Sequence, residues 1–370
     1  MHLAELQNDI NDKAKTFFNN LLKWNLNSQY TKGKLKGFIP KATFPMFRYE
    51  PYPEITGYGA SLFTKLYKIY RKDEYFKRAS WASHAILKQQ LPSGAFKYSI
   101  RKNSEEMLFD TLMMLNGLLD FYEISKDENI LRKSRISLER LLKLLEMPQY
   151  KNPDFCANSI NAPYFHLAKG IILLVKAYLT LCDSKFLRTA EKLAHFTINK
   201  FQYQDGGFRL DINVPKYNRF HYLCYALEGL IAIESQNPEF FDNIRKGATY
   251  ILNNQRTDGG IWYSFTNKGK PIKNWVDNAA TAQAARIFLF VYNRTHENEF
   301  LVGAIKALNY LINKQHKIPG LTYGGLPFGY HPIIDNLAAC SWATQFATDL
   351  AALFSNTNTL NDKENTIISF

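Results

Sequence analysis

The chain has 370 residues, 46% of them apolar and 15% aromatic, enough to bury a sizeable core in one large domain or two ordinary ones. Lysine and arginine outnumber aspartate and glutamate 46 to 33, a formal net charge of +13; this points to an anionic ligand, and the lack of a compact basic block argues against nucleic acid. Three further readings exclude classes: no stretch reaches the length of a membrane span, the N-terminus MHLAELQNDINDKAKTFF carries acids where a secretory signal needs a basic start, and Cys156, Cys182, Cys224 and Cys340 are scattered without a CxxC. A cytoplasmic protein without membrane insertion, disulfide framework or zinc finger is expected.

Apolar spacing of the i, i+3, i+4 kind predicts a first helix over residues 4–26, then a long polar rim loop, 27–53, containing FIPKATFPMFRYEPYPEITGY. Eleven more helices follow with little else between them: 54–72, 74–91, 104–124, 127–147, 163–183, 185–201, 220–235, 237–254, 276–295, 297–315 and 336–355. The last residues, about 357–370, read as a flexible tail.

The twelve helices alternate between two kinds. One kind is poor in charge and rich in small residues, as in ITGYGASLFTKLY and AATAQAARIFLFV; the other has one charged face, as in DSKFLRTAEKLAHFTINK. Helices apolar all round are buried, and half-polar ones face water. Starts of the buried kind near Thr56, Leu108, Phe165, Tyr222, Asp277 and Leu337 are 52, 57, 57, 55 and 60 residues apart. That period predicts six helical hairpins in one domain, an all-α (α/α)6 toroid; an open solenoid is the alternative. Closure is favoured because the first helix is of the outer kind and the last of the inner kind. In a closed ring the long connections from outer to inner helices all open on one rim, at the N-termini of the inner helices, where function is expected.

Three outer helices end in related text: QLPSGAF (90–96), QYQDGGF (202–208) and QRTDGGIW (255–262). Gln, an acid or Ser, Gly and an aromatic make a helix stop with turn chemistry, so Asp205 and Asp258 are expected to fix these turns. The pattern resembles the Q-x-x-D-G-x-[FW] repeats of the α/α-toroid superfamily, which includes terpenoid cyclases and protein prenyltransferases. Similar six-hairpin rings serve glycoside hydrolases, uronate epimerases and polysaccharide lyases, so the resemblance implies a fold more than a reaction.

On the isoprenoid side, the Asp-x-Asp-Asp acid of class II cyclases is absent. The zinc set of prenyltransferases is incomplete: VDNA (276–279) lacks the Cys of an Asp-x-Cys pair, and HYLCY (221–225) sets its His one place early. No metal and no cofactor are therefore expected. On the carbohydrate side, LFDTLMML (108–115) resembles the inner-helix start that carries the catalytic Asp of unsaturated glucuronyl hydrolases, which would make Asp110 the acid/base group.

Asp110, Glu228, His221, Glu54 and Tyr225 are the candidate catalytic residues, because they start inner helices or lie one turn into them. Tyr52, Tyr58, His166, Arg219, Tyr222, Trp262, Trp275, Asp277, Asn278, His331, Asp335 and Trp342 are candidate substrate contacts around the same rim. Each has a structural reading beside the functional one: helix capping for Glu54, Asp110 and Asp277, a satisfied buried hydrogen bond for Glu228, and packing for the His and Trp residues. The expected activity is carboxylate, His or Tyr acid–base chemistry on an anionic, uronic-acid-type glycan, hydrolysis ahead of lyase or C5-epimerase chemistry. An isoprenoid-binding cyclase or transferase and a non-catalytic glycan-binding scaffold are the alternatives.

Overall fold

A computed structural model describes residues 3–101, 104–146, 164–209, 218–329 and 337–355. His331 and Asp335, the neighbouring Tyr330, Cys156 and the C-terminal tail lie outside these residues. Twelve α-helices are present among them. The inner six are α2 (Pro53–Tyr70), α4 (Leu108–Ser125), α6 (Gly170–Leu181), α8 (Phe220–Glu234), α10 (Asn278–Thr295) and α12 (Ser341–Ser355). The outer six are α1 (Leu3–Ser28), α3 (Asp73–Leu87), α5 (Glu128–Glu146), α7 (Ser184–Phe201), α9 (Phe241–Asn253) and α11 (Asn298–Lys314).

Each inner helix packs on the next, α12 returns to α2, and α1 packs on α12. The ring is closed, and the open solenoid is set aside. Small residues allow the close approach: a Cβ at Gly117 would sit 2.4 Å from the carbonyl oxygen of Gly57 on the adjacent inner helix. The core lies between the two layers of helices, with α10 buried along nearly its whole length.

The repeated turn stitches outer helices together. Gln90 Nε2 donates to the carbonyl of Lys133 on α5 at 2.8 Å, Gln202 Nε2 to Asn243 on α9 at 2.8 Å, and Gln255 Nε2 to Gly303 on α11 at 3.0 Å. Gln315 does the same across the seam, donating to Phe17 on α1 at 3.3 Å. Asp205 and Asp258 accept from the backbone N–H of Gly207 and Gly260, at 3.0 and 3.2 Å, so both fix the turn as expected.

Short strands, which the helical pattern does not predict, also occur. β1 (Ala42–Thr43) pairs antiparallel with β5 (Ala339–Cys340), and β2 (Asn218–Arg219), β3 (Trp262–Phe265) and β4 (Pro271–Val276) form a small antiparallel sheet. All are rim segments leading into inner helices, so α12 starts at Ser341 and not at 336, and the third inner helix opens with a 3-10 turn, Tyr164–Lys169. Two-residue strands leave no alternation to read.

Candidate functional site

Glu54 in the first turn of α2 and Asp110 in the first turn of α4 come together just inside the rim, both buried. The indole Nε1 of Trp342 donates to Glu54 Oε1 at 3.3 Å, and the Tyr52 hydroxyl donates to Asp110. Asp110 Oδ1 is enclosed without a hydrogen-bond partner. Burial raises the Asp110 carboxyl to about 6 against the help of Tyr52, and burial and then the neighbouring Asp110 push Glu54 well above the usual carboxylate range.

Partly exposed rings stand around the acids: Tyr52, Phe109, Tyr222 and Trp342. Tyr52 packs against Trp342 with centroids 5.9 Å apart, and buried His166 lies between Phe109 and Tyr222 at 4.9 and 5.4 Å. His221 and Tyr225, four apart on α8, do share a face, with centroids 4.2 Å apart. Burial and then the charge of Lys169 pull the His221 imidazole down to about 3, so it is neutral throughout the physiological range.

Below the acids the axis is plugged. Tyr58 of α2 and Tyr225 of α8 meet across the ring, sharing a hydrogen bond of 3.2 Å. Lys169 lies against them with Nζ 4.0 Å from the centroid of Tyr225, 4.8 Å from Tyr58 and 4.6 Å from Phe346 of α12. Burial drives both phenols up, away from ionisation.

Glu228 belongs to this plug and the layer beneath, not to the mouth. Its Oε2 accepts from Lys169 Nζ at 2.7 Å and Gln283 Nε2 at 2.9 Å, and its Oε1 faces Arg286 Nη1 at 3.5 Å. Arg286 continues to Asp349 at 3.7 Å, and Asp349 to Lys65 at 3.2 Å. These side chains line a small cavity of about 30 Å³, room for one or two water molecules. Lys169, Arg286, Asp349 and Lys65 are not among the residues singled out from the sequence. Each is a lone charge in an otherwise uncharged stretch of inner helix, as in HLAKGIILLV and ATAQAARIFLF, and that isolation is the signal that would have found them.

The remaining described candidates lie on the rim segments that lead into α8 and α10. The Arg219 guanidinium stacks on Tyr222 and Tyr263, 5.3 and 4.8 Å from their centroids, and Trp275 stands 46% exposed on β4 beside Tyr263. Trp262 is covered by Arg256 at 4.5 Å. Asp277 caps α10, accepting from the Ala280 N–H at 3.0 Å, and Asn278 Nδ2 donates to the Pro327 carbonyl at 3.0 Å, tying down the last rim loop. Among the described residues no group of three or more His, Cys, Asp or Glu is placed to hold a metal ion, and no helix is long and apolar enough to cross a membrane.

The chain matches no protein-family model, and no curated protein matches it in sequence. It is similar in structure to cellobiose 2-epimerase from Spirochaeta thermophila, with 14% identity, 96% of this chain and 98% of that one covered and a TM-score of 0.74. A cellobiose 2-epimerase from Bacillus thermoamylovorans is similar at 12% identity, with 95% and 100% covered and a TM-score of 0.73. Unsaturated glucuronyl hydrolase from a Bacillus species is similar at 12% identity, with 92% and 98% covered and a TM-score of 0.68. What these chains share with this one is the α/α toroid of six helical hairpins.

Proposed function

We propose that the chain is a carbohydrate-active enzyme that hydrolyses an anionic, uronic-acid-type glycan, with Glu54 as general acid and Asp110 as general base. The observation that carries this reading is the pair of buried carboxylates at the starts of α2 and α4, beneath a mouth of partly exposed rings. Each acid takes one hydrogen bond that favours its ionised form, from Trp342 on Glu54 and from Tyr52 on Asp110; Glu54, which the charge of Asp110 also raises, is assigned the proton. Glu54 gives that proton to the departing oxygen, while Asp110 takes one from the water that attacks the anomeric carbon. Arg219, Tyr222, Trp275 and Trp342 supply stacking surfaces and positive charge for an acidic sugar chain.

Removal of a proton α to a carboxylate, as in a lyase or C5-epimerase, is often the task of a Tyr or His base. Tyr58 and Tyr225 are driven up by burial and His221 is held at about 3, which makes all three poor bases at neutral pH. Among the described residues, the space beneath the acid pair is about 30 Å³ and lined by five charged side chains, a lining that does not suit an isoprenoid chain.

The test is incubation with saturated and unsaturated uronyl oligosaccharides in H2(18)O, read by mass spectrometry. Hydrolysis places one heavy oxygen in the product, and both Asp110→Asn and Glu54→Gln abolish it. A product of unchanged mass would indicate epimerisation, binding without turnover would indicate the scaffold, and full turnover by Asp110→Asn would overturn the assignment.

A further inference from the structure

A row of side chains runs outward from the acid pair with no gap wider than 6.3 Å. Phe109, beside Asp110 in the first turn of α4, lies 4.9 Å from the His166 ring, and His166 lies 5.4 Å from Tyr222 in the first turn of α8. The Arg219 guanidinium, on β2, is 5.3 Å from the Tyr222 ring and 4.8 Å from that of Tyr263 on β3, and Tyr263 is 6.3 Å from Trp275 on β4. Phe109, Tyr222, Arg219 and Tyr263 are partly exposed and Trp275 is exposed, so the row is a track on the surface, with buried His166 wedged beneath its inner end.

We propose that the β2–β3–β4 sheet carries a second sugar-binding subsite, formed by Tyr263 and Trp275 and joined to the mouth through Arg219. It takes units of an acidic chain beyond the bond that is cleaved, and so makes the enzyme select oligosaccharides over a disaccharide. The inference deepens the reading of the chain as a hydrolase of anionic glycans and rests on it. Five side chains lie between Trp275 and Asp110 along the track, more than one sugar ring spans, so a unit stacked on Trp275 is not the unit at the acids.

Charge and rigidity both suit that ligand. The segment 259–276 contains Lys268, Lys270 and Lys273, all exposed, and no Asp or Glu. Lys273 stands two residues before Trp275, the spacing that puts two side chains on one face of a strand. Rings edged by Arg and Lys call for a ligand with an apolar face and an anionic edge, as a uronic acid unit has: its C–H face lies on an aromatic ring and its carboxylate meets the cations. The sheet is also held in place. Arg219 pairs with Ser264 and Trp262 with Val276, the Tyr250 hydroxyl on α9 donates to the Gly269 carbonyl in the turn at 2.7 Å, and the Val276 N–H donates to the Gly329 carbonyl at 3.2 Å. A platform fixed in this way needs little ordering when it binds.

The experiment is calorimetric titration of the whole chain with oligogalacturonates and oligoglucuronates of two, four and six units, with cello-oligosaccharides of the same lengths as neutral ligands; mass spectrometry of the same mixtures reads hydrolysis. Wild type should bind the acidic hexamer roughly tenfold more tightly than the acidic dimer, with a smaller gain along the neutral series. Trp275→Ala should remove about threefold to tenfold of that gain, and Trp275→Tyr, which keeps a ring, should retain most of it. Lys273→Glu should weaken the acidic hexamer and leave the neutral series unmoved. Both positions are exposed, so neither variant disturbs the core. Affinity that does not rise with length in wild type, an equal rise in Trp275→Ala, or a neutral series that loses as much as the acidic one in Lys273→Glu overturns the proposal. Length-dependent binding of uronates without hydrolysis would sink the functional reading and leave the subsite standing, hydrolysis without length dependence would sink the subsite alone, and no binding at any length would overturn both.

Discussion

Asp110→Asn should make the protein more stable at neutral pH while removing its activity. Asp110 is raised from 3.8 unfolded to about 6 folded, so the fold favours its protonated form. The stability it contributes is fully present below pH 3.8 and is lost as pH rises through 6. Each pH unit between those two values is worth about 1.4 kcal/mol, so the ionised carboxylate costs the folded state about 3 kcal/mol at pH 7.5 and about 1 kcal/mol at pH 4.5. Asparagine keeps an acceptor for the Tyr52 hydroxyl and carries no charge, so it should recover most of that difference. The Glu54 partner adds to the gain, because one of the two causes raising it is the charge of Asp110. Urea denaturation of both proteins at the two pH values measures it: the variant should gain about 2 kcal/mol more at pH 7.5 than at pH 4.5. A variant destabilised by the same amount at both would refute the reasoning and leave Asp110 a structural anchor for Tyr52.

Turnover should fall as pH drops through about 6, where Asp110 takes up its proton, and a rate–pH profile that is flat from 5 to 7 would contradict its role as base. Glu228→Ala leaves Lys169 and Arg286 buried without their shared carboxylate and should cost about 3–5 kcal/mol in urea denaturation. Gly206→Ala places a side chain at φ +87°, 2.2 Å from the Lys246 carbonyl oxygen on the next outer helix, and should lower stability by at least about 1–3 kcal/mol. Trp275→Ala, far from the plug and half in water, should leave stability within about 0.5 kcal/mol of wild type yet raise KM for an acidic oligosaccharide by roughly threefold to tenfold; an unchanged KM would remove it from the substrate path.

The ring was legible because its determinants are local and repeated. The small-residue helices recur at a near-constant spacing, and each stitch uses a Gln and a left-handed glycine at the same offset, Gly206 at φ +87° and Gly259 at φ +96°. The turn at the seam is hidden in the sequence because the Gln and its glycine, Gln315 and Gly324, are separated by a longer loop, yet the bond from Gln315 Nε2 to the Gly324 carbonyl at 2.9 Å has the form of that between Gln255 and Gly259. The hairpin IWYSFTNKGKPIKNWV carried a signal too, an Asn-Lys-Gly turn between aromatic runs, hidden by the surrounding helical period.

The site was legible only in outline, for a reason of distance along the chain. Position at the start of an inner helix selects Glu54, Asp110 and Asp277 alike, and nothing local separates the acid that caps its own helix from those that meet across two helices. Asp277 accepts from Ala280 three residues on, whereas the partners of Glu54 and Glu228 lie 288 and 59 residues away, in Trp342 and Lys169. A carboxylate's chemistry is set by the charges and burial that such distant partners impose, so it becomes readable only once the ring has closed. Glu228 makes the point: one turn below Tyr225 it reads as a second catalytic acid, but closure brings Lys169, Gln283 and Arg286 around it and turns it from a proton donor into the counter-ion of the lysine beneath the acid pair.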